Sequence, residues 1–324
     1  MNVSGAVAAG IVLILGLPPF SASAQPFPNK PIRIIVGAPA GAGPDVEVRQ
    51  LVPQFSAELG QTVVVENKPG VAGLIGAELV ARAAPDGYTI LGATISNAAA
   101  HPRLYDRPTF NVEKDLVPIS LSIRHPWLVY VRGSFPAASF KEFIAIAKAR
   151  PDSVTFATNG VGGTQHLSLE LLQVMTGIRL KHIPYGTNPW TSDIVAGQID
   201  ATAWPLIGMT EYLQSGRLRG LAISNGGVPS EKAPGVPQFS EVGLPAFDMT
   251  AWAGLLAPAG TPREIVDKLG AAAGKAAQGK AYREFTAKFG ATAVGSTPAE
   301  FDAFLLTERT RWKKVIADAN IKMD

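Results

Sequence analysis

The 324-residue sequence contains no cysteine. That excludes disulfides, thiolate metal sites, cysteine nucleophiles and a lipid-anchored cysteine. Charge is also scarce: 17% of residues are charged, and the 29 basic residues exceed the 26 acidic ones by three. The basic residues are scattered, and a polyanion-binding face needs them concentrated, so nucleic acid is not an expected partner. No Gly-x-Ser-x-Gly elbow and no Ser-x-x-Lys occurs, which leaves nucleophilic hydrolysis without support. The four histidines, His101, His125, His166 and His182, have no metal-ligand spacing and read as structural or hydrogen-bonding residues. No metal or cofactor is expected.

Apolar residues make up 47% of the chain, enough for the cores of two medium domains or one large one. The first 24 residues stand apart. Val3–Leu17 is uncharged and apolar, but shorter than the roughly 20 residues a bilayer span needs. Ala22-Ser23-Ala24 follows, the small-x-small pattern of a signal-peptidase site, although the segment lacks Lys and Arg. The alternatives are an uncleaved anchor and a secretory signal over residues 1–24. The length favours the signal, and with it an exported, soluble product.

Beyond residue 25, short apolar runs alternate with helical spacing. Strands are expected at 32–37, 62–66 and 88–92, with helices at 44–59 and 73–83 between them. This βαβαβ rhythm implies a parallel sheet covered by helices. A second rhythm begins after Pro126, with strands at 127–131, 154–158, 180–183, 199–203 and 218–224. Its helices are expected at 139–149, 167–175 and 192–196, the first opened by a Ser139/Glu142 capping box. Residues 225–247 are rich in Gly and Pro and read as a connector, followed by a strand at 250–257. Thr261-Pro262-Arg263-Glu264 and Thr297-Pro298-Ala299-Glu300 then mark two more helix starts. Those helices have no sheet of their own and are expected to return to the first lobe. The divisions are 25–125 and 248–324 for lobe one and 126–247 for lobe two: an α/β clamp.

Each lobe has a glycine-rich turn from a strand into a helix. The first is Pro39-Ala40-Gly41-Ala42-Gly43-Pro44-Asp45; the second runs from Thr158-Asn159-Gly160 through Val161-Gly162-Gly163 to Thr164-Gln165-His166. The first lacks the Lys-Ser/Thr of a phosphate loop and the third glycine of a dinucleotide fingerprint. Alone, it could be an ordinary turn. As a pair, the two loops could present helix N-termini to one small acid, with charged hydrogen bonds worth roughly 1.5–3 kcal/mol each.

Several stretches occur in the order of a known family: Lys30–Asp45, Val63–Gly73 (VVVENKPGVAG) and Ala83–Thr89 (AAPDGYT) in the first lobe. Phe156–Leu167 (FATNGVGGTQHL), His182–Gly186 (HIPYG), the GQID ending at Asp200 and Gly254–Pro262 (GLLAPAGTP) continue the series. In these the mature chain resembles the substrate-binding receptors of tripartite tricarboxylate transporters, the Bug-type solute receptors. The resemblance implies a type II periplasmic-binding-protein fold, with two doubly wound α/β lobes joined by crossing hinge strands. It implies a monomeric periplasmic receptor that closes on a small carboxylate, partly through bridging waters. The implied partners are the large and small membrane subunits of such a transporter, or a sensor protein; an exported enzyme on the same fold is the third alternative.

Carried over residue by residue, Ala38, Gly41, Ala42, Gly43 and Asp45 match the first ligand loop. Thr158, Gly160, Gly162, Gly163, Thr164 and His166 match the second. Ser96 and Asn97, Tyr185 and Asn188, Asp193 and Trp204 match segments that line the cleft. Asp45 reads as a helix-capping, loop-bracing residue rather than an acid catalyst, and Asp193 equally as a favourable charge at a helix start. The departures are Gly37-Ala38 in place of a Pro-aromatic pair, Pro44 in place of a hydroxyl or amide, Gly163 in place of Ser, and Trp190 and Trp204 near the cleft. Either tryptophan could equally be core. Together the departures suggest a roomier, less polar pocket for an aromatic or bulky carboxylate.

Overall fold

The computed structural model describes residues 26–100, 110–185, 190–224 and 231–318. The signal stretch, His101 and Asn188 therefore lie outside the described residues. Lobe one begins with β1 (Ile32–Val36), α1 (Gly43–Leu59), β2 (Val63–Asn67), α2 (Leu74–Ala81) and β3 (Thr89–Thr94). A short α3 (Val112–Asp115) leads into β4 (Leu116–His125), which crosses directly into β5 (Trp127–Arg132) of lobe two. There the chain forms α4 (Phe140–Ala149), β6 (Thr155–Thr158), α5 (Thr164–Thr176) and β7 (Lys181–Pro184). It continues through α6 (Thr191–Val195), β8 (Ala201–Pro205), α7 (Thr210–Gln214) and β9 (Leu218–Ser224). The return brings β10 (Ala251–Pro258), α8 (Arg263–Gln278), α9 (Lys280–Ala287), β11 (Thr292–Ala293) and α10 (Pro298–Asp318). Among the described residues no helix is long and apolar enough to cross a membrane.

Sheet one has the order β11-β4-β10-β3-β1-β2, and sheet two β7-β6-β8-β5-β9. β1 is parallel to β2 and β3, and Ile32, Ile34, Ile35 and Val36 are buried on both faces, as a central parallel strand requires. β6 is likewise parallel to β7 and β8. The loops that follow β1, β3, β6 and β7 thus leave from the carboxyl ends of parallel strands, where open α/β sheets bind ligands. β10 runs antiparallel between β3 and β4, so both hinge crossings begin or end in adjacent strands, with Ala251 opposite His125.

β4 is absent from the sequence-based expectations, which leave 116–125 unassigned. Its Ser120 and Ser122 are buried at positions that a sequence reads as exposed. Ser296, distant in sequence, meets this strand at two points: Ser120 Oγ donates to its carbonyl at 2.7 Å, and its hydroxyl accepts from Leu121 N at 2.9 Å. The expected box at Thr297 and Glu300 forms, with reciprocal bonds of 2.8 and 3.3 Å. The one expected at Thr261 does not, because its hydroxyl donates back to Pro258 O and α8 starts uncapped after Pro262. α8 covers α1 and β4, as expected of the returning tail. α10 does more: it packs on β4 and the 96–100 turn, but also on α5 of lobe two. Phe301, Leu305, Trp312, Val315 and Ile316 of α10 join Leu167 and Leu171 of α5 in one core.

Candidate functional site

Loop one is wound on itself. Gly41 has φ +81°, and its N–H donates to Asp45 Oδ2 at 2.8 Å. Ala42 N–H goes to Pro39 O at 3.1 Å. Asp45, third in α1 and buried, also accepts Arg49 Nε at 2.9 and 3.0 Å and Asn67 Nδ2 at 2.8 Å. The same Asn67 nitrogen donates to Ala38 O at 2.9 Å, so the end of β2 ties both ends of the loop. Burial works against the Asp45 charge, but the hydrogen bonds from Arg49, Gly41 and Asn67 outweigh it and hold its pKa below the ordinary carboxylate value. Its oxygens are engaged inside the loop, which makes Asp45 the brace. What α1 turns outward is its first turn: Ala42 at the N-cap supplies no side-chain cap, and the Gly43 N–H has no carbonyl a turn back to take it. Pro44 removes one further donor.

Loop two repeats the plan. Gly160 and Gly162 have φ +108° and +75°. Gly160 N–H donates to Thr158 Oγ1 at 3.2 Å, and Gly162 N–H to His166 Nδ1 at 3.2 Å. His166 is third in α5, as Asp45 is third in α1, and each accepts from the glycine four residues before it. Gly163 at the N-cap again leaves the helix start without a side-chain cap. Its lack of a side chain has a local cause: a Cβ there would lie 2.3 Å from Asn159 Oδ1. A side chain at 163 would thus require the Asn159 amide to move aside, and glycine adds no hydroxyl here.

Two uncapped helix starts therefore leave their sheets at the ligand-binding edge, each with a positive dipole end. Ser96, on the turn after β3, has its hydroxyl 2.9 Å from Thr164 Oγ1, the first residue of α5, and so ties lobe one to the start of that helix. Asn97 beside it is buried and engaged locally, accepting from Thr94 N at 2.8 Å and donating to Gly92 O at 3.2 Å. On the lobe-two side, Tyr185 OH donates to Asp193 Oδ2 at 2.6 Å. Burial, and then the Asp193 carboxylate, push the Tyr185 phenol up to about 12, so it remains a donor.

The tryptophans separate in role. Trp190 is buried in the lobe-two core and is no wall of its own. Trp204 is only partly buried; it stands edge-on to Trp190 at 5.6 Å and tilted to Trp127 at 6.1 Å. Ala38 is partly buried against the lobe-one core, without a ring to project over the loop. Sequence reasoning missed Asn67, although it lies in the VVVEN motif, and Trp127, whose position at the hinge crossing was its only signal. It also missed the turn that supports loop one. Gly70, Val71, Ala72 and Gly73 have successive φ values of +129°, +47°, +50° and +91°, a conformation that costs Val and Ala. Gly73 lies flat against Gly37, where an added Cβ would meet Gly73 Cα at 2.5 Å.

Residues 47–321 match the sequence profile described as tripartite tricarboxylate transporter family receptor. Protein BugT of Bordetella pertussis strain Tohama I is 36% identical over 303 residues, 93% of each chain. Among solved structures, the periplasmic binding protein BugD is 30% identical with a TM-score of 0.80, over 92% of this chain and all of that one. MatC from Rhodopseudomonas palustris, solved with bound malate, is 29% identical with a TM-score of 0.79, over 90% of this chain and all of that one. The two-sheet architecture with its double crossing is the type II periplasmic-binding-protein fold. The chain belongs to the tripartite tricarboxylate transporter family of receptors.

Proposed function

We propose that the protein is a periplasmic receptor that captures a small carboxylate between loop one and loop two, closes its lobes on it, and delivers it to the membrane subunits of a tripartite tricarboxylate transporter. The observation that carries this reading is the pair of uncapped helix starts, one per lobe, with the loop donors behind them already engaged. A carboxylate oxygen is the natural cap for such a helix, because it accepts the first-turn N–H groups and meets the positive dipole end. Two helices suit a ligand gripped from both sides without arginine. The malate bound by MatC is of the same chemical class.

The ligand we infer is aromatic or otherwise bulky. Ala38 puts a methyl group where relatives place a ring, Pro44 and Gly163 add no hydroxyl, and Trp204 offers a partly exposed face backed by two further indoles. A thermal-shift panel of aliphatic and aromatic mono- and dicarboxylates tests both levels. A true ligand at about 100 times its Kd stabilises by ~2.7 kcal/mol. A flat panel overturns the carboxylate receptor. Shifts confined to short polar acids overturn the bulky ligand and leave the receptor standing.

A further inference from the structure

The two loops solve one problem with different chemistry. In loop one the glycine N–H is taken by a carboxylate, which accepts at any pH above its lowered pKa. In loop two it is taken by His166 Nδ1, which accepts only while that nitrogen carries no proton. The other loop-two donor reaches a histidine through a hydroxyl. Gly160 N–H goes to Thr158 Oγ1, and that hydroxyl lies 2.5 Å from His182 Nε2. The hydroxyl can give its proton to His182 Nε2 or accept a second bond from it, according to the state of that ring, so His182 orients Thr158 while Thr158 accepts from Gly160. The two imidazole rings are 4.5 Å apart between centroids and inclined at 32°.

We propose that His166 and His182 are positioning residues for ligand capture: a stacked pair of neutral imidazoles that fixes the Gly160 and Gly162 N–H groups and thereby sets the course of loop two. The proposal rests on the receptor reading above, since it assigns loop two to the ligand. The surroundings favour neutral rings. His166 is buried, and burial first, then the neighbouring His182, bring its pKa from the ordinary 6.5 to about 4. Burial lowers His182 as well. Two imidazolium ions at this separation would repel in a site of low polarity.

Few charges oppose that setting. On α5 itself, Glu170 Oε1 stands 3.6 Å from His166 Nε2; burial raises its pKa, against the Gln173 hydrogen bond that lowers it. β6 brings the uncharged Phe156 and Thr158, β8 brings Ala201 and Thr202, and Lys181 on β7 is exposed. On α10, which packs against α5, Arg309 donates to the carbonyls of Ala98 and Val112, and Glu308 accepts from Trp252 and pairs with Arg311. A neutral pair keeps loop two the same shape across mildly acid conditions, which a single exposed histidine would not do.

The test is a pH titration of the ligand-free protein by NMR, following the Gly160 and Gly162 amides and the His166 ring protons. The expected result is constant shifts from pH 7.5 to 5.5, then joint movement of the His166 ring and the Gly162 amide at lower pH. In His182→Gln the His166 titration moves up toward 6.5 and carries the Gly162 amide with it. A wild-type His166 that titrates near 6.5, or a Gly162 amide that ignores the His166 titration, overturns the proposal, and neither result depends on a variant folding. Benzoate calorimetry gives a second arm. Wild-type affinity should agree within about twofold between pH 7.5 and 5.5, while His182→Gln weakens several-fold at the lower pH. His166→Asn, which keeps an acceptor, should bind without this pH dependence, and His166→Phe should bind weakly at both. Equal pH profiles for wild type and His182→Gln also overturn the proposal. Benzoate that fails to bind wild type at pH 7.5 counts against the aromatic ligand, and the amide titration then decides the histidines.

Discussion

Ser96 Oγ lies 2.9 Å from Thr164 Oγ1, so a turn of lobe one is hydrogen-bonded to the first residue of α5 in lobe two. The lobes therefore meet beside the loop proposed to hold the ligand. Removing this bond should weaken capture without unfolding either lobe. We expect Ser96→Ala and Thr164→Val each to cost about 0.5–1.5 kcal/mol of benzoate affinity, roughly two- to tenfold in Kd. The double variant should be no worse than the weaker single one. Additive losses in calorimetry would show that the two hydroxyls act independently.

Asp45 should behave as a structural brace. Asp45→Ala leaves the Gly41 N–H, the Asn67 amide and Arg49 without their acceptor, at a cost of about 2–4 kcal/mol in urea unfolding. Asp45→Asn restores one acceptor and should recover part of this. Because the folded pKa is depressed, the carboxylate stabilises above its unfolded value of 3.8 and its contribution fades as pH falls through the lower folded value. The Asn variant should therefore lose less stability than wild type below pH 4. Equal acid sensitivity would remove Asp45 from this role.

His166 governs a different interval. Its folded pKa of about 4 lies below the ordinary 6.5, so the unfolded chain takes up a proton first as pH falls. The stabilisation is complete above 6.5 and is lost between 6.5 and about 4, amounting to ~3 kcal/mol at 1.36 kcal/mol per pH unit. Urea midpoints should fall between pH 7 and 4.5 in wild type and less steeply in His166→Asn. Parallel curves would place the acid sensitivity elsewhere.

Trp204 should decide ligand class. Trp204→Ala is expected to lose about 0.5–1.5 kcal/mol of benzoate affinity beyond the buried area, while a short aliphatic acid is little affected. Wild-type tryptophan fluorescence should respond to aromatic ligands more than to aliphatic ones. Equal losses for both classes would make Trp204 a packing residue.

Much of the fold could be read from local pattern, because apolar runs such as Ile32–Val36 end at glycines that must turn. What escaped depends on distant partners. β4 has a buried serine, Ser120, whose bond partner is Ser296, and no window of sequence contains both. The Thr261 box failed because a hydroxyl that can cap can also turn back to Pro258. At the candidate site, the two glycine loops were legible as turns from a strand into a helix start. That their own N–H groups are engaged, by Asp45 in one and His166 in the other, was not. Periodicity places a side chain on a helix face but does not say which ring nitrogen meets which glycine. The indoles of Trp127, Trp190 and Trp204 come from three separate segments and meet only in the folded lobe.

The contact between Gly37 and Gly73 sets a limit on how this protein can diversify. Backbone touches backbone there, so any side chain at 37 has to displace a turn already held at four successive positive φ angles. Two changes would have to arise together, and each alone would be harmful. Position 204 is constrained through side chains alone, its partly buried ring packing on Trp127 and Trp190. Mutational drift at the Gly37–Gly73 contact thus has to pass through paired backbone changes, whereas a packed ring such as Trp204 can be exchanged one side chain at a time.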